Sequence, residues 1–419
     1  MALQISEQVR ALGRQAQADI LPQLERIDAV AEENTQKVLA AFQKYRVAEG
    51  YFAGTTGYGY DDIGRDKLDE IYAELFGTEA ALVRIGFVNG THAISCALFG
   101  ALRPGDTLVS AVGAPYDTLL GVIGVVDKGP GSLKNYGVHY RQVDLTPEHT
   151  PDIPGMVEAV KDPTVKAVLI QRSKGYSTRA SLSVDEIGEM CAAIRSANPK
   201  VWILVDNCYG EFVETKEPTQ VGADLVVGSL IKNPGGGLAP TGGYIAGKQE
   251  LIEAASMRLT APGIGGECGS TLGNNRLLYQ GLFLAPHTVA QAVKTAVFGA
   301  RVMELLGYQT EPASTDVRHD IIQMFHFGAP EPLKKFCKGI QFGSPVDSYV
   351  TPEPWDMPGY DCQVIMAAGA FIQGASIELS CDAPMREPYT AYMQGGLTYE
   401  SGKTGILLAV EELLRGEGR

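Results

Sequence analysis

The sequence predicts an α/β chain, with a large domain on a mainly parallel sheet, a smaller C-terminal α+β domain and N-terminal helices. Three observations carry this. Between residues 65 and 300, apolar strand-like runs alternate with amphipathic helical stretches, the pattern produced when each strand is followed by a helix that covers the sheet. After Gly307 the runs shorten into brief strands with one or two helices. Near the start, Ile5, Val9 and Leu12, and later Val38, Leu39 and Phe42, recur at intervals of three and four with charges between them, as on one face of a helix. The expected boundaries are 1–50 for the helical segment, 51–300 for the large domain and 301–419 for the small one.

Within the large domain the apolar runs place strands at 80–87, 107–110, 167–171, 202–206, 224–228 and 243–246. Helices fall between them, among them 91–102, 183–196 and the long 284–306. In the small domain, strands are expected at 321–327 and 363–370 and a helix at 404–415, and the Pro- and Gly-rich stretch 342–362 reads as an ordered loop.

The chain has 419 residues, 45% hydrophobic and 20% charged, the composition of a globular protein of two or three domains. Its formal charge of −14 repels polyanions, which argues against nucleic acid and anionic membrane as partners. No stretch approaches the roughly 18 apolar residues of a membrane span, and the first residues lack a basic region followed by an apolar core. A cytoplasmic protein is the expectation. The seven cysteines are scattered, with no Cys-x-x-Cys spacing, and read as small buried apolar residues rather than a disulfide framework or zinc site. The six histidines form no paired ligand motif, so no metal is expected.

Open α/β sheets bind ligands at the carboxyl ends of their strands, and four such ends carry polar residues. At Val88-Asn-Gly-Thr-His-Ala93 a strand gives way to a helix, so the amides of Gly90, Thr91 and His92 offer a phosphate cradle. Tyr116, in Gly113-Ala-Pro-Tyr-Asp117, presents an aromatic face. Asp206 closes the apolar run Val201-Trp-Ile-Leu-Val-Asp206, and a carboxylate in that position needs a cationic partner. Lys232 follows the next run, after Ser229 and before a string of glycines. A lysine in an apolar mouth has its pKa lowered and becomes a nucleophilic amine. Each feature alone also has a plainer reading: a capped turn, a turn tyrosine, a solvated carboxylate and a lysine reaching solvent from a loop. In this order they match the needs of pyridoxal phosphate: a phosphate seat, a ring platform, a carboxylate for the ring nitrogen and an amine for the aldehyde. Tyr209 stands within reach of the cofactor's phenolic oxygen, and Ser229 of its phosphate.

Taken with Gly57-Tyr-Gly-Tyr-Asp-Asp-Ile-Gly-Arg65, Pro384-Met-Arg-Glu-Pro-Tyr389 and Gln394-Gly-Gly-Leu-Thr-Tyr-Glu400, these motifs resemble fold-type I pyridoxal-phosphate enzymes. Within them the likeness is to the methionine γ-lyase and aluminium-resistance group, relatives of the cystathionine lyases. The resemblance implies pyridoxal 5'-phosphate bound as a Schiff base on Lys232, held by Gly90, Thr91, His92, Tyr116, Asp206, Tyr209 and Ser229. Cystathionine-type lyases carry a Tyr-x-Arg that crosses to a partner subunit's phosphate. Here Tyr58 and Tyr60 precede Arg65 instead, which leaves open which tyrosine acts and whether Arg65 reaches the phosphate. By position, Arg386 matches the arginine that receives the substrate α-carboxylate, though it could equally pair with Glu387 or Asp382 at the surface.

The implied reaction is β- or γ-elimination on a small sulfur-containing or γ-substituted L-amino acid, releasing a 2-oxo acid and ammonia. The implied assembly is a homodimer or homotetramer with its site at the subunit interface. An aminotransferase or aldolase uses the same constellation, and a non-catalytic binder of pyridoxal phosphate with a regulatory or resistance role is an alternative of another class. Gln171, Arg172 and Arg179 either line the site or are exposed loop residues.

Overall fold

The computed structural model describes residues 3–175, 177, 179–357 and 362–415. Helices α1 (Glu7–Asp19) and α2 (Leu21–Lys44) come first, then α3 (Ile63–Phe76), β1 (Ala80–Arg84), α4 (Gly90–Ala101), β2 (Thr107–Ser110) and α5 (Asp117–Ile123). These are followed by β3 (His139–Gln142), α6 (Ile153–Ala159), β4 (Val165–Gln171), α7 (Val184–Ala197), β5 (Trp202–Asp206), β6 (Leu225–Ser229), β7 (Gly243–Gly247), α8 (Gln249–Leu259) and α9 (Asn275–Leu305). The chain packs as two units, one of residues 35–283 and one of residues 1–34 with 284–419.

The 35–283 unit holds a seven-stranded sheet in the order β1-β7-β6-β5-β4-β2-β3. Its strands from β3 to β6 are parallel, while β7 runs antiparallel to both β6 and β1. The carboxyl ends of β1, β2, β4, β5 and β6 therefore share one edge. The central strands are nearly continuous apolar runs because both faces are buried. Leu169, Leu204, Val227 and Ile245 pack in one core with Phe87, Ile94 and Leu98. Side-chain caps fix the helix starts, as with Asp62 accepting from the Arg65 amide at α3 and the Ser183–Glu186 capping box at α7.

Two expectations need correction here. The predicted strand 80–87 ends at Arg84. The exposed edge strand His139–Gln142 (HYRQ) has no apolar run to announce it.

In the other unit, β8 (Gln309–Glu311), β9 (Ile322–His326), β10 (Val364–Ala368), β11 (Ser380–Pro384) and β12 (Thr390–Gln394) form an antiparallel sheet, order β10-β11-β12-β9-β8. Helices α10 (Pro330–Phe342) and α11 (Tyr399–Leu414) cover it. Helix α1 completes this core, with Val9, Ala16 and Ile20 packed among Phe325, Phe336, Ile406 and Val410. Gly13 lets α1 approach closely, since a Cβ there would lie 2.9 Å from the Leu407 side chain. The expected helix 404–415 begins earlier, at Tyr399, capped by Thr398. Part of the expected loop 342–362, residues 358–361, lies outside the described residues. Among the described residues no helix is long and apolar enough to cross a membrane.

Candidate active site

The edge where β5 and β6 end brings Asp206, Tyr209, Ser229 and Lys232 together. Asp206 is buried at the last position of β5, and its Oδ1 accepts the Cys208 amide at 3.1 Å. The chain then turns back through two left-handed residues, Tyr209 (φ 73°) and Phe212 (φ 60°), which a bulky side chain adopts only when its surroundings enforce it. Beyond β6, the Lys232 amide donates to the Ser229 carbonyl at 3.3 Å. A Cβ at Gly235 would lie 1.8 Å from the Leu230 carbonyl oxygen. The loop can return over the strand end only because glycine stands there. Its tightness aims Lys232 inward, with Nζ 4.0 Å from the centre of the Tyr209 ring.

The charge state of Lys232 departs from the expectation of a lowered pKa. Burial does work to remove its proton, but Tyr209, Cys208 and the Asp206 carboxylate outweigh it and hold the amine above the ordinary lysine range. Burial likewise pushes Asp206 up, while the Lys232 ammonium and the Cys208 amide oppose that shift. The two buried groups act on one another electrostatically, each favouring the charged form of the other.

Helix α4 begins at the same edge. Asn89 caps it by accepting the His92 amide at 2.8 Å, and His92 Nδ1 accepts the Val88 amide at 3.2 Å. The predicted cradle therefore narrows to Gly90 and Thr91, because the His92 amide is already taken. A Cβ at Gly90 would sit 3.4 Å from Ser229 Cβ and 3.5 Å from Cys208 Sγ. The helix start thus lies against the end of β6. Ser229 Oγ, in that crevice, is buried and has no hydrogen-bond partner among the described residues. Thr91 Oγ1 shares a hydrogen bond with Thr118 Oγ1 at 2.9 Å.

Tyr116 precedes α5, and its amide donates to Gln171 Oε1 at 2.7 Å. Its ring packs by Gly175, where an added Cβ would be 3.4 Å away. Arg172 and Arg179 are not exposed loop residues but buried ones. Arg172 donates to Asn207 Oδ1 (2.9 Å) and Glu214 (2.7 Å), and Arg179 to the carbonyls of Ala180 and Ser173 (2.8 Å each).

Tyr58 and Tyr60 are exposed and stacked, with ring centres 5.6 Å apart and planes 17° from parallel. Buried Arg65 ties their loop down, donating to the carbonyls of Gly59 (2.7 Å) and Gly269 (2.8 Å) and pairing with Asp66 (2.8 Å). With Arg84, Cys268 and Ser270 it also lines a cavity of about 380 Å³ at the end of β1, whose walls include none of Asp206, Ser229 and Lys232. Arg386 belongs to the unit that does not contain Lys232. It is exposed between β11 and β12, and its charge acts on the Tyr392 hydroxyl.

Five of the seven cysteines are buried, and no cluster suited to a metal occurs among the described residues. Sequence reasoning missed the buried polar group behind the site: Asn207, Glu211, Glu217 and Tyr244. The signal available was only that three acids, Glu211, Glu214 and Glu217, follow Asp206 at intervals of three.

A family model described as methionine gamma-lyase matches residues 9–414. The Bacillus subtilis protein YnbB is 51% identical over 410 residues, 98% of this chain and 97% of its own. A solved structure from Clostridium novyi NT, a carbon-sulfur lyase involved in aluminum resistance, is 53% identical with a TM-score of 0.93, and the match covers 97% of this chain and 96% of that one. The L-methionine gamma-lyase of Pseudomonas putida is 26% identical over 204 residues, 48% of this chain and 46% of its own.

Proposed function

The chain belongs to the methionine gamma-lyase family, and from that premise we propose that it is a pyridoxal-phosphate-dependent lyase that eliminates a β- or γ-substituent from a small sulfur-containing L-amino acid, yielding a 2-oxo acid and ammonia. The observation that carries this reading is the placement of buried Asp206 at the end of β5 and of Lys232, over the Tyr209 ring, in the turn after the adjacent β6.

The residues fit the cofactor. Ser229 Oγ is buried without a partner against the start of α4, where the Gly90 and Thr91 amides and the helix dipole suit a phosphate. Lys232 would hold the aldehyde carbon, Asp206 the ring nitrogen, Tyr116 the ring face and Tyr209 the phenolic oxygen. Pyridoxal phosphate, when bound, supplies an electron sink for carbanion chemistry.

The charge arrangement gives Lys232 its function. With pyridoxal phosphate bound there, Asp206 would have a cationic partner at the ring nitrogen, and burial would then favour the neutral form of the Lys232 amine. The neutral Nζ is the base that takes the substrate's α-proton. One of the exposed pair Tyr58 and Tyr60 is the acid for the leaving group, supplied across an interface in a homodimer or homotetramer, and Arg386 receives the α-carboxylate. Arg65 is committed to loop carbonyls, which favours a structural task for it over phosphate binding. The setting proposed is cytoplasmic.

The test is a screen of methionine-, cystathionine- and homocysteine-like substrates, scored for 2-oxo acid and ammonia. Product formed without an added keto acid supports elimination, and a requirement for a keto acid overturns it in favour of transamination.

A further inference from the structure

We propose that Glu211 is the positioning residue of this site, a buried carboxylic acid that holds the segments carrying Asp206, Ser229 and Lys232 in register. Glu211 is fully buried in the turn after β5, and it touches all three segments. Its backbone carbonyl accepts from Asn233 Nδ2 at 3.0 Å, next to Lys232. Its Oε1 accepts from the Tyr244 hydroxyl at 2.9 Å. It also lies so near Gly228, the residue before Ser229, that a Cβ there would be 2.4 Å away. The Tyr244 oxygen in turn stands 3.4 Å from Asn207 Nδ2, next to Asp206.

The same group encloses the turn that presents Tyr209. Asn207 donates to Glu217 Oε2 at 2.8 Å and accepts from Arg172 at 2.9 Å, while Glu217 Oε1 accepts the Phe212 amide at 3.0 Å. Two left-handed residues lie between these anchors, and such backbone persists only where the surroundings determine it. Filling this space needs no acid, since an apolar side chain would do so at lower cost. The groups facing Glu211 are Tyr72 from α3, Cys208 from its own turn, Tyr244 from β7, and Glu217 and Arg172. Burial first, and Glu217 next among the causes that raise it, push the carboxyl up to about 8 against Tyr244 and Arg172. Glu211 therefore carries a proton at neutral pH, which accords with an Oε2 that has no partner among the described residues.

The inference rests on the reading that the site holds pyridoxal phosphate, and its test has two arms. In calorimetric titration of cofactor-free protein with pyridoxal phosphate, Glu211→Gln binds within about twofold of wild type, because it keeps the shape and neutrality of the acid. Glu211→Ala and Tyr244→Phe bind about tenfold more weakly, and the double variant is no weaker than Glu211→Ala alone, since both break one connection. Wild-type affinity in Glu211→Ala, or a Glu211→Gln variant as weak as Glu211→Ala, overturns the inference.

The second arm uses no cofactor. The thermal midpoint of wild type relative to Glu211→Gln falls as pH rises from the ordinary glutamate value of 4.5 to about 8, because the folded protein retains a proton that the unfolded chain has released. A difference that stays flat across this range overturns the inference while leaving the cofactor reading intact. Wild-type protein that takes up no pyridoxal phosphate overturns that reading instead, and the pH arm still decides on Glu211.

Discussion

Lys232 Nζ stands 4.0 Å from the centre of the Tyr209 ring, so the amine of the site rests on an aromatic face whose own backbone is left-handed. A desolvated contact of this kind favours the ammonium form by about 2 kcal/mol, in the same direction as the Asp206 carboxylate. The cofactor-free site thus keeps Lys232 charged.

Replacing Asp206 by Asn removes that counterion. The Lys232 pKa in the cofactor-free Asp206→Asn variant should drop, and the amine should react with acylating reagents at lower pH than in wild type. Mass-spectrometric mapping of acylation against pH checks this, and an unshifted or raised profile contradicts the electrostatic support from Asp206. Activity should fall at the same time, as should that of Lys232→Ala, by about a thousandfold or more for the lysine.

Ser229→Ala should separate stability from binding. Ser229 Oγ has no hydrogen-bond partner among the described residues, so its loss should leave the thermal midpoint of the cofactor-free protein unchanged or slightly raised. Cofactor affinity should fall by about tenfold, the value of one hydrogen bond to a charged phosphate. A large loss of stability without loss of affinity would show that the hydroxyl serves the fold.

Arg172 lies fully buried among Asn207, Glu214 and Glu217. Arg172→Ala strands these acids without a counter-charge and should cost about 3–5 kcal/mol of stability in denaturant unfolding. Arg172→Lys should recover only part of this, because an ammonium cannot reproduce the fork of a guanidinium.

Asp62 accepts from Thr55 Oγ1 (2.5 Å), Thr271 Oγ1 (2.6 Å), the Arg65 amide (2.9 Å) and Asn275 Nδ2 (3.1 Å). Burial works to raise its pKa, but these donors prevail and hold it below 3.8. Its stabilisation is therefore present above that value and lost as pH falls through the lowered one. Asp62→Ala should cost about 1–2 kcal/mol as a lost helix cap and speed proteolytic cleavage in the 54–61 loop that carries Tyr58 and Tyr60. Unchanged cleavage would show that Arg65 alone fixes the loop.

The chemistry-bearing strand ends were legible because buried parallel strands read as apolar runs, and the polar residues after them stand out. Asp206 and Ser229, expected there, stand at the ends of β5 and β6, with Lys232 in the turn that follows. The His92 amide was misjudged because Asn89 reads equally as a turn residue and as a cap that occupies it. Arg172 looked ambiguous because its partners, Asn207, Glu214 and Glu217, lie 35 to 45 residues away in sequence. The Glu211 group was illegible for the same reason, since its meaning comes from Tyr244 on β7, whose antiparallel pairing with β6 no periodicity announces.

Helix α1 buries Val9, Ala16 and Ile20 against Phe325, Phe336 and Val410, which are translated more than 300 residues later. During synthesis α1 therefore emerges long before the residues that cover its apolar stripe. The 35–283 unit can collapse on schedule, whereas the unit that holds α1 waits for α11. The exposed stripe is what a chaperone would meet on the nascent chain, and any chain cut short before α11 leaves it open to aggregation.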